Sequence, residues 1–370
     1  MPDGEAKYME NVLKIVVAFS LIALAVSISG FAYVLVTLTS LRNDVTTMQS
    51  RVDTIAEQVG ISRILQSKAE GKLVIYAGMT PTVMNGLVNV FTAKYPWIKV
   101  EWIFLPTGPQ VQRITQEQQA GQYVADITTP STIVAAESLR AKGALQFYNS
   151  SEYAYYSPQF KNQGWWVTQR LILTVIMYNT KLVSKAPTSW SDILDPAYKG
   201  KVVLQNAKDS DLGFKDFYSL RKYYGIEYWH SLAAQNPTIA SYSESYQRVD
   251  SGEFALTFMD HNVIPLEKAK GAPVDYVIPK EGAIISPVPM ALLNKAPHPA
   301  NAQLWFDYVE SFEGQQFMAN AGYYSARNAG PPTAGFPPLS SVALLPVDIN
   351  EFMAQHDQLL QEWSSIFLKM

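Results

Sequence analysis

Ile15 to Leu38 reads IVVAFSLIALAVSISGFAYVLVTL, an apolar run without a charge. As a helix rising about 1.5 Å per residue, it reaches across a hydrocarbon layer roughly 30 Å thick. A cleaved signal peptide has a positive head and an apolar run of only about 7–15 residues. Here the run is longer, and the head MPDGEAKYMENVLK is not positive. The pattern predicts a retained transmembrane anchor over 12–38 behind a short tail of residues 1–11. Lys7 and Lys14 on one side and Arg42 and Arg51 on the other leave its direction open. Leu38, Leu41, Val45, Met48, Val52, Ile55 and Val59 then recur at alternating spacings of three and four, with Arg42, Asp44, Gln49, Arg51, Asp53 and Glu57 between them. Such a heptad seam predicts a helical stalk over 39–68. The stalk either lies on its own domain or joins a homo-oligomer as a parallel coiled coil.

From Gly71 the period changes. Lys72–Ala77 is a short apolar strand, and Thr80-Pro81-Thr82 opens a helix striped by Val83, Leu87, Val90 and Phe91 that stops at Tyr95-Pro96. Ile98–Phe104 is the next strand, and Gly108-Pro109 leads into a helix ending near Gly121. Asp126-Ile127-Thr128 then ends a third strand, and Thr129-Pro130-Ser131 opens a further helix. Strand–helix alternation implies parallel strands with crossover helices. Ligands in such sheets sit beyond the carboxyl ends of strands, where helix N-termini present free N–H groups. Thr80, Thr82, Thr129 and Ser131 are therefore ligand contacts or simply helix caps. Further on come strand Leu171–Tyr178, a helix start at Thr188–Asp192 and strand Lys201–Leu204. A polar loop from Asn206 to Gly213 precedes an aromatic-rich helix, and Ser241 with Glu244 forms a capping box. The chain closes with one helical stripe from Pro299 to Phe317 and a last helix from Asn350 to Phe367.

At 48% hydrophobic and 16% charged the chain has globular composition. A net charge of −3 without a basic run argues against a nucleic-acid partner. The absence of cysteine excludes disulfides, thiolate nucleophiles, cysteine metal sites and a lipid-modified cysteine anchor. P-loop, HExxH, GxSxG and GxGxxG motifs are all missing. No cofactor is implied, and the chain is expected not to be an enzyme. One segment stands out. GEFALTFMDHN, residues 252–262, runs from a glycine break through an alternating strand into Asp260, His261 and Asn262.

From Tyr178 to Leu204, YNTKLVSKAPTSWSDILDPAYKGKVVL resembles a stretch of the extracellular solute-binding proteins of ABC importers. The branch is the one containing ferric-iron, thiamine, polyamine and phosphonate binders. The resemblance spans roughly residues 71–370, through KLVIYAG, Trp166 and Arg170, SLAAQNPTI, SGEFALTF and SPVPMALLNKAPHPANAQLWFDYVESFEGQQFMANAGYYSARN. It implies an α/β, two-lobed, type II periplasmic-binding-protein fold with a hinge. The first lobe would take about 71–168 and 280–330, the second about 170–278, with C-terminal helices over about 340–370. It also implies a membrane-tethered, extracytoplasmic receptor that closes on a small polar solute and delivers it to a permease and its ATPase, with the tail of residues 1–11 in the cytoplasm. A sensor ectodomain on the same fold, or a metal-dependent hydrolase using Asp260 and His261, are the alternatives.

The resemblance also directs attention to residues. The ferric-iron members end the strand after the GE motif in a tyrosine pair, and this chain has Met259-Asp260-His261-Asn262 there. That departure weakens an iron reading and makes Asp260, His261 and Asn262 solute contacts, with a metal at Asp260 and His261 a weaker option. Trp166, Thr168 and Arg170 enter the crossover strand where the family meets an anion; Arg170 suits an acid group through paired hydrogen bonds or forms an internal salt bridge. Asp209 and Ser210 lie in a loop that contacts solute in other members. Tyr323 and Tyr324 either face the cleft or pack the lobe. Asp209 and Asp260 suit an amine, and with Arg170 they suit a zwitterion.

Overall fold

The computed structural model describes residues 3–345 and 347–368, and the chain divides into two units, Met1–Gln66 and Ser67–Met370. Helix α1, Asp3–Glu70, makes up the described part of the first unit. Its seam positions Leu38, Leu41, Val45 and Met48 are more than half exposed. The side chains of Val52, Ile55 and Val59, further along that seam, lie outside the described residues, as do those of residues 23, 25, 28 and 32 within the apolar run. Among the described residues no helix is long and apolar enough to cross a membrane, so the anchor expected over 12–38 gains no support from the structure.

The second unit begins at Ser67 rather than at the predicted Gly71, because the end of α1 is fastened to it. The Glu70 carboxylate accepts the backbone N–H groups of Ala300 at 3.1 Å and Asn301 at 2.9 Å. Those are first-turn groups of a later helix, Pro299–Glu310. A helix start leaves such N–H groups without partners and favours an anion beside them.

Strand β1 (Lys72–Ala77), helix α2 (Pro81–Lys94), β2 (Lys99–Phe104), α3 (Thr107–Gln119), β3 (Ile127–Thr129) and α4 (Ile133–Ala141) form the first run. Strand β1 pairs parallel with both β2 and β3. Val74, Tyr76, Ile114, Ala136 and Leu139 pack one core there. A short β4 (Lys161–Asn162) lies beside the start of β5 (Trp166–Asn179), which is buried along nearly its whole length. The second run is β6 (Val202–Gln205), α5 (Asp211–Tyr224), α6 (Ile226–Ala234), β7 (Thr238–Ala240), α7 (Tyr242–Asp250), β8 (Leu256–Asp260), α8 (Ile264–Ala269) and β9 (Val274–Val277). The chain then returns through β10 (Ala283–Leu292) to α9 (Pro299–Glu310) and α10 (Phe312–Asn320), and ends with β11 (Leu344–Leu345), α11 (Ile349–Ala354) and α12 (His356–Phe367).

The strand order is β2-β1-β3-β10-β5-β8-β6-β7. Strands β5 and β10 are the two crossings. They pair antiparallel from Thr174–Ile284 to Val167–Met290, with an irregularity between Val288 and Pro289. Proline cannot donate to a ladder and collects at such breaks. Past the break β10 leaves β5 and pairs with β3 through Ala291 and Leu292, while the far end of β5 pairs with β8. A second core of Trp190, Phe217, Trp229 and Phe258 lies under the far half, and Leu359, Trp363 and Ile366 of α12 pack into it.

Three predicted helices in the second half of the chain differ from those observed. The stripe from Pro299 to Phe317 is two helices, because Ser311 is extended and accepts the Gly314 N–H to start α10. The last helix is interrupted at Gln355. The Thr188–Asp192 start yields only a 3-10 turn, Trp190–Leu194, with Ser189 and Asp192 closing a capping box.

Glu310, the last residue of α9, is fully buried. Its backbone carbonyl accepts the Tyr156 hydroxyl at 3.0 Å and Arg327 Nη1 at 3.1 Å. Burial pushes its carboxyl up to about 8 from an ordinary 4.5. Below 4.5 both the folded and unfolded chains carry the proton. Between there and about 8 only the unfolded chain loses it, so this group's contribution to stability falls across that window and then levels off. Melting temperatures of wild type and Glu310→Gln across pH 4–9 should therefore diverge, the wild type losing ground as pH rises; parallel curves would contradict the burial argument.

Candidate functional site

Ala77 stands in register with Phe104 on one side and Thr129 on the other, so the turns leaving β1, β2 and β3 emerge side by side. Gly78 permits that approach: a Cβ there would lie 2.8 Å from the Thr129 carbonyl oxygen. The Gly78 N–H donates to the Thr129 carbonyl and to its Oγ1, both at 3.1 Å. The Thr129 side chain is thus buried and committed, while Ser131 is half-buried. Thr80 is the N-cap of α2 as expected, with Pro81 behind it, but its side chain makes no capping bond. The first intrahelical bond runs from Met84 N to Thr80 O, so the Thr82 and Val83 N–H groups precede the helical ladder. At the second Thr-Pro the expectation fails. Helix α4 starts only at Ile133, and Thr132 caps it through Ala135 N at 3.3 Å.

Arg170 on β5 is 2% exposed. Its Nη2 donates to the Gly78 carbonyl at 2.8 Å, and its guanidinium lies 5.2 Å from the centroid of the Tyr323 ring. Burial raises the Tyr323 pKa, and Arg170 and the nearby Thr80 oppose that rise. The Arg170 Nε and Nη1 atoms are buried without a protein acceptor, and so is the Thr168 hydroxyl. Burial draws the Arg170 pKa down, and Tyr323 and Asp260 oppose that. No internal salt bridge accounts for this arginine among the described residues. Trp166 does not join it. Its indole N–H donates to Glu137 at 2.7 Å and its ring belongs to the first core.

Across the crossing, Asp260 ends β8 and is nearly fully buried. Its Oδ2 accepts the Tyr242 hydroxyl at 3.0 Å, and its Oδ1 is buried without a donor. Burial raises its pKa, against Lys215, the Tyr242 bond and Arg170. His261 goes elsewhere, since successive strand residues face opposite sides. Its Nδ1 accepts the Leu173 N–H at 3.2 Å, and its ring stacks on Tyr324 at 5.0 Å and meets Phe336 edge-on at 4.7 Å. Burial drives its pKa down to about 3, so the ring is neutral. Asp260 and His261 are therefore not an acid–base pair. Nor does any group of three or more His, Asp or Glu suited to a metal occur among the described residues. Asn262 is half-buried, with its Oδ1 lacking a partner.

Other expected contacts have hydrogen-bond partners within the chain. The Tyr324 hydroxyl donates to the Pro337 carbonyl at 3.0 Å, so Tyr323 rather than Tyr324 stands at the arginine. Ser210 caps α5 through Gly213 N at 3.2 Å and donates to Gln205 at 2.7 Å. Asp209 is exposed and accepts from Asn206 at 2.6 Å.

The sequence reading missed Lys215 and Asp216. Both are buried on α5. Lys215 Nζ donates to Thr174 Oγ1 at 2.9 Å and to Ser286 Oγ, and lies 3.8 Å from Asp216 Oδ1. Burial pushes Asp216 up to about 7, with Asp260 adding to the rise and Lys215 opposing it. The only trace in the sequence is a charged pair set inside GFKDFYSL, a stretch buried on every face. Two cations, Arg170 and Lys215, and two carboxylates, Asp216 and Asp260, thus lie at the crossing strands.

A family model described as bacterial extracellular solute-binding protein matches residues 123–342. A protein of Salmonella typhimurium named "Putative 2-aminoethylphosphonate-binding periplasmic protein" is 27% identical over 243 residues, covering 61% of this chain and 68% of that one. Among solved structures, the periplasmic binding protein AfuA from Actinobacillus pleuropneumoniae, with fructose-6-phosphate bound, superposes with a TM-score of 0.70 at 20% identity, over 81% of this chain and 99% of that one. Iron-bound HitA from Pseudomonas aeruginosa gives 0.69 at 18% identity, over 80% and 99%. At these identities the structural likeness establishes the two-lobed type II periplasmic-binding-protein fold. With the family model covering more than half of its length, the chain belongs to the bacterial extracellular solute-binding proteins.

Proposed function

We propose that this protein is the membrane-tethered, extracytoplasmic receptor of an ABC importer, and that its solute is a small zwitterion with an acid group of phosphonate or carboxylate type at one end and an amine at the other. The observation that carries the reading is the state of two buried charges. Arg170 keeps two N–H-bearing atoms unpartnered and Asp260 keeps one oxygen unpartnered, both away from water. A buried charge is costly unless paired and hydrogen-bonded, and a solute bringing the opposite charge to each removes that cost. The acid group goes to Arg170, Thr168, Thr80, Thr82 and the free N–H groups of α2, where a helix start favours an anion. Thr129 and Ser131 shape that end. The amine goes to Asp260, with Asn262 beside it and Asp209 at the rim. The 2-aminoethylphosphonate in the name of the Salmonella relative is a zwitterion of this kind. Closure of the two lobes follows from contacts made only when both ends are engaged.

Thermal-shift titration should show stabilisation by 2-aminoethylphosphonate, growing with ligand concentration as mass action requires. Arg170→Met should weaken binding by on the order of 30-fold or more, since it removes a buried charge partner. Asp260→Asn should weaken 2-aminoethylphosphonate but spare methylphosphonate, which lacks the amine. Equal losses for both ligands would refute the assignment of the ends.

Ferric iron held by a tyrosine pair is not the expected cargo, because Tyr324 is hydrogen-bonded to Pro337 and Tyr323 lies against a guanidinium. Adding Fe(III) should produce no visible tyrosinate-to-iron charge-transfer band. A band that disappears in Tyr323→Phe would overturn this.

The tether rests on the uncharged run Ile15–Leu38. In intact cells with a permeable outer barrier, added protease should digest residues 67–370 and leave a membrane-held N-terminal fragment. Release of the whole chain by alkaline carbonate would dispose of the tether.

A further inference from the structure

Lys215 touches neither proposed end of the solute, yet its surroundings are unusual for a lysine. It is 6% exposed, and its side chain leaves the far-half core on α5 to reach both crossing strands. Nζ donates to Thr174 Oγ1 on β5 and to Ser286 Oγ on β10. Thr174 is the cross-strand partner of Asp260 in the β5–β8 ladder. Directly opposed residues place their side chains on the same face with Cβ atoms about 5 Å apart, so the ammonium is held beside the Asp260 carboxylate. The groups that face Asp260 are then the Tyr242 hydroxyl from α7, Arg170 from β5, Lys215 and Asp216 from α5, and Tyr323. Asp216 lies close enough to Lys215 to compete for it, at 3.8 Å.

We propose that Lys215 is a positioning residue of the solute site: its ammonium, fixed to both crossing strands, keeps a carboxylate rather than a neutral carboxyl group at Asp260, ready for the cationic end of the solute. This rests on the zwitterion reading for its functional meaning, but its physical content does not need the solute. With Lys215 the site holds two basic groups beside two carboxyl groups, and a zwitterion adds no net charge to it. The hydroxyls of Thr174 and Ser286, spent on a lysine, fix where the charge stands.

The test uses the full chain in detergent, labelled at the aspartate carboxyl carbon, with the Asp260 signal assigned by Asp260→Asn. In Lys215→Met the Asp260 titration should move up by roughly 1–3 pH units, the usual effect of a close opposite charge. Lys215→Gln keeps a donor toward the two hydroxyls and should show the same shift, which guards against a misfolded Met variant. Lys215→Arg should restore the wild-type titration, and Ser286→Ala, which removes one hydrogen bond and no charge, should leave it in place. If Asp260 titrates alike in wild type, Lys215→Met and Lys215→Gln while stability falls, Lys215 is only a latch between strands and the proposal is wrong. Affinity for 2-aminoethylphosphonate should fall in Lys215→Gln at neutral pH and recover at alkaline pH. A shifted titration in a protein that binds no zwitterion would leave Lys215 in this role and remove the ligand assignment instead.

Discussion

The ladder between β5 and β10 fixes nearly everything else in the second unit. Two strands cross from one half of the sheet to the other, and their pairing from Thr174–Ile284 to Val167–Met290 is buried on both faces. A strand so placed needs apolar side chains on both sides, and LILTVIM on β5 largely supplies them. The exceptions are therefore informative. Thr168, Arg170, Thr174 and Ser286 are polar residues withdrawn from water on the crossings. Each adds a desolvation cost that a leucine or valine would not. Thr174 and Ser286 are satisfied by Lys215, whereas Thr168 and most of the Arg170 guanidinium are not satisfied from within the chain.

This asymmetry separates structure from readiness. Where a buried polar group has its partner, as with Trp166 on Glu137 or Tyr324 on Pro337, it helps to fix the fold. Where it does not, the folded state carries a cost that binding can relieve. The irregularity at Val288/Pro289 belongs to the same design. It lets β10 change partner from β5 to β3 within one strand, so the first half of the sheet and its helix starts are brought up to Arg170. Gly78 and Tyr323 both meet Arg170 there.

Much of the fold could be read from periodicity. The bounds of β1, the Thr80–Pro81 start of α2 and the Ser241–Glu244 capping box are local properties of the chain, and the structure repeats them. Failures came where tertiary packing decided. One stripe continued across Ser311 because α9 and α10 both bury apolar side chains, so periodicity could not register the break. Of the candidate site, Asp260 was legible because it ends an apolar strand, and Arg170 because the family resemblance pointed to the start of the crossover strand. Lys215 and Asp216 were not, because a Lys-Asp pair on a helix ordinarily faces solvent, and only the fold shows that α5 is buried around them. Trp166, Ser210 and Tyr324 are residue types that serve binding and packing equally well, and nothing in their spacing distinguishes the two uses.

GEFALTFMDHN shows how finely such distinctions are drawn. Its strand alternates, so Asp260 and His261 must leave β8 on opposite sides. Chemistry follows from that geometry rather than from adjacency in sequence. The carboxylate meets Tyr242, Lys215 and Arg170, in a field of two cations. The imidazole meets Tyr324 and Phe336 and gives up its Nδ1 to a backbone N–H, which leaves it neutral and aromatic in character. A pair that reads as a metal or acid–base site is thus divided between the two faces of one strand. Asp260 keeps an unpartnered oxygen in that field, while His261 is committed to packing and to a backbone N–H, so adjacency in sequence does not make the two residues one site.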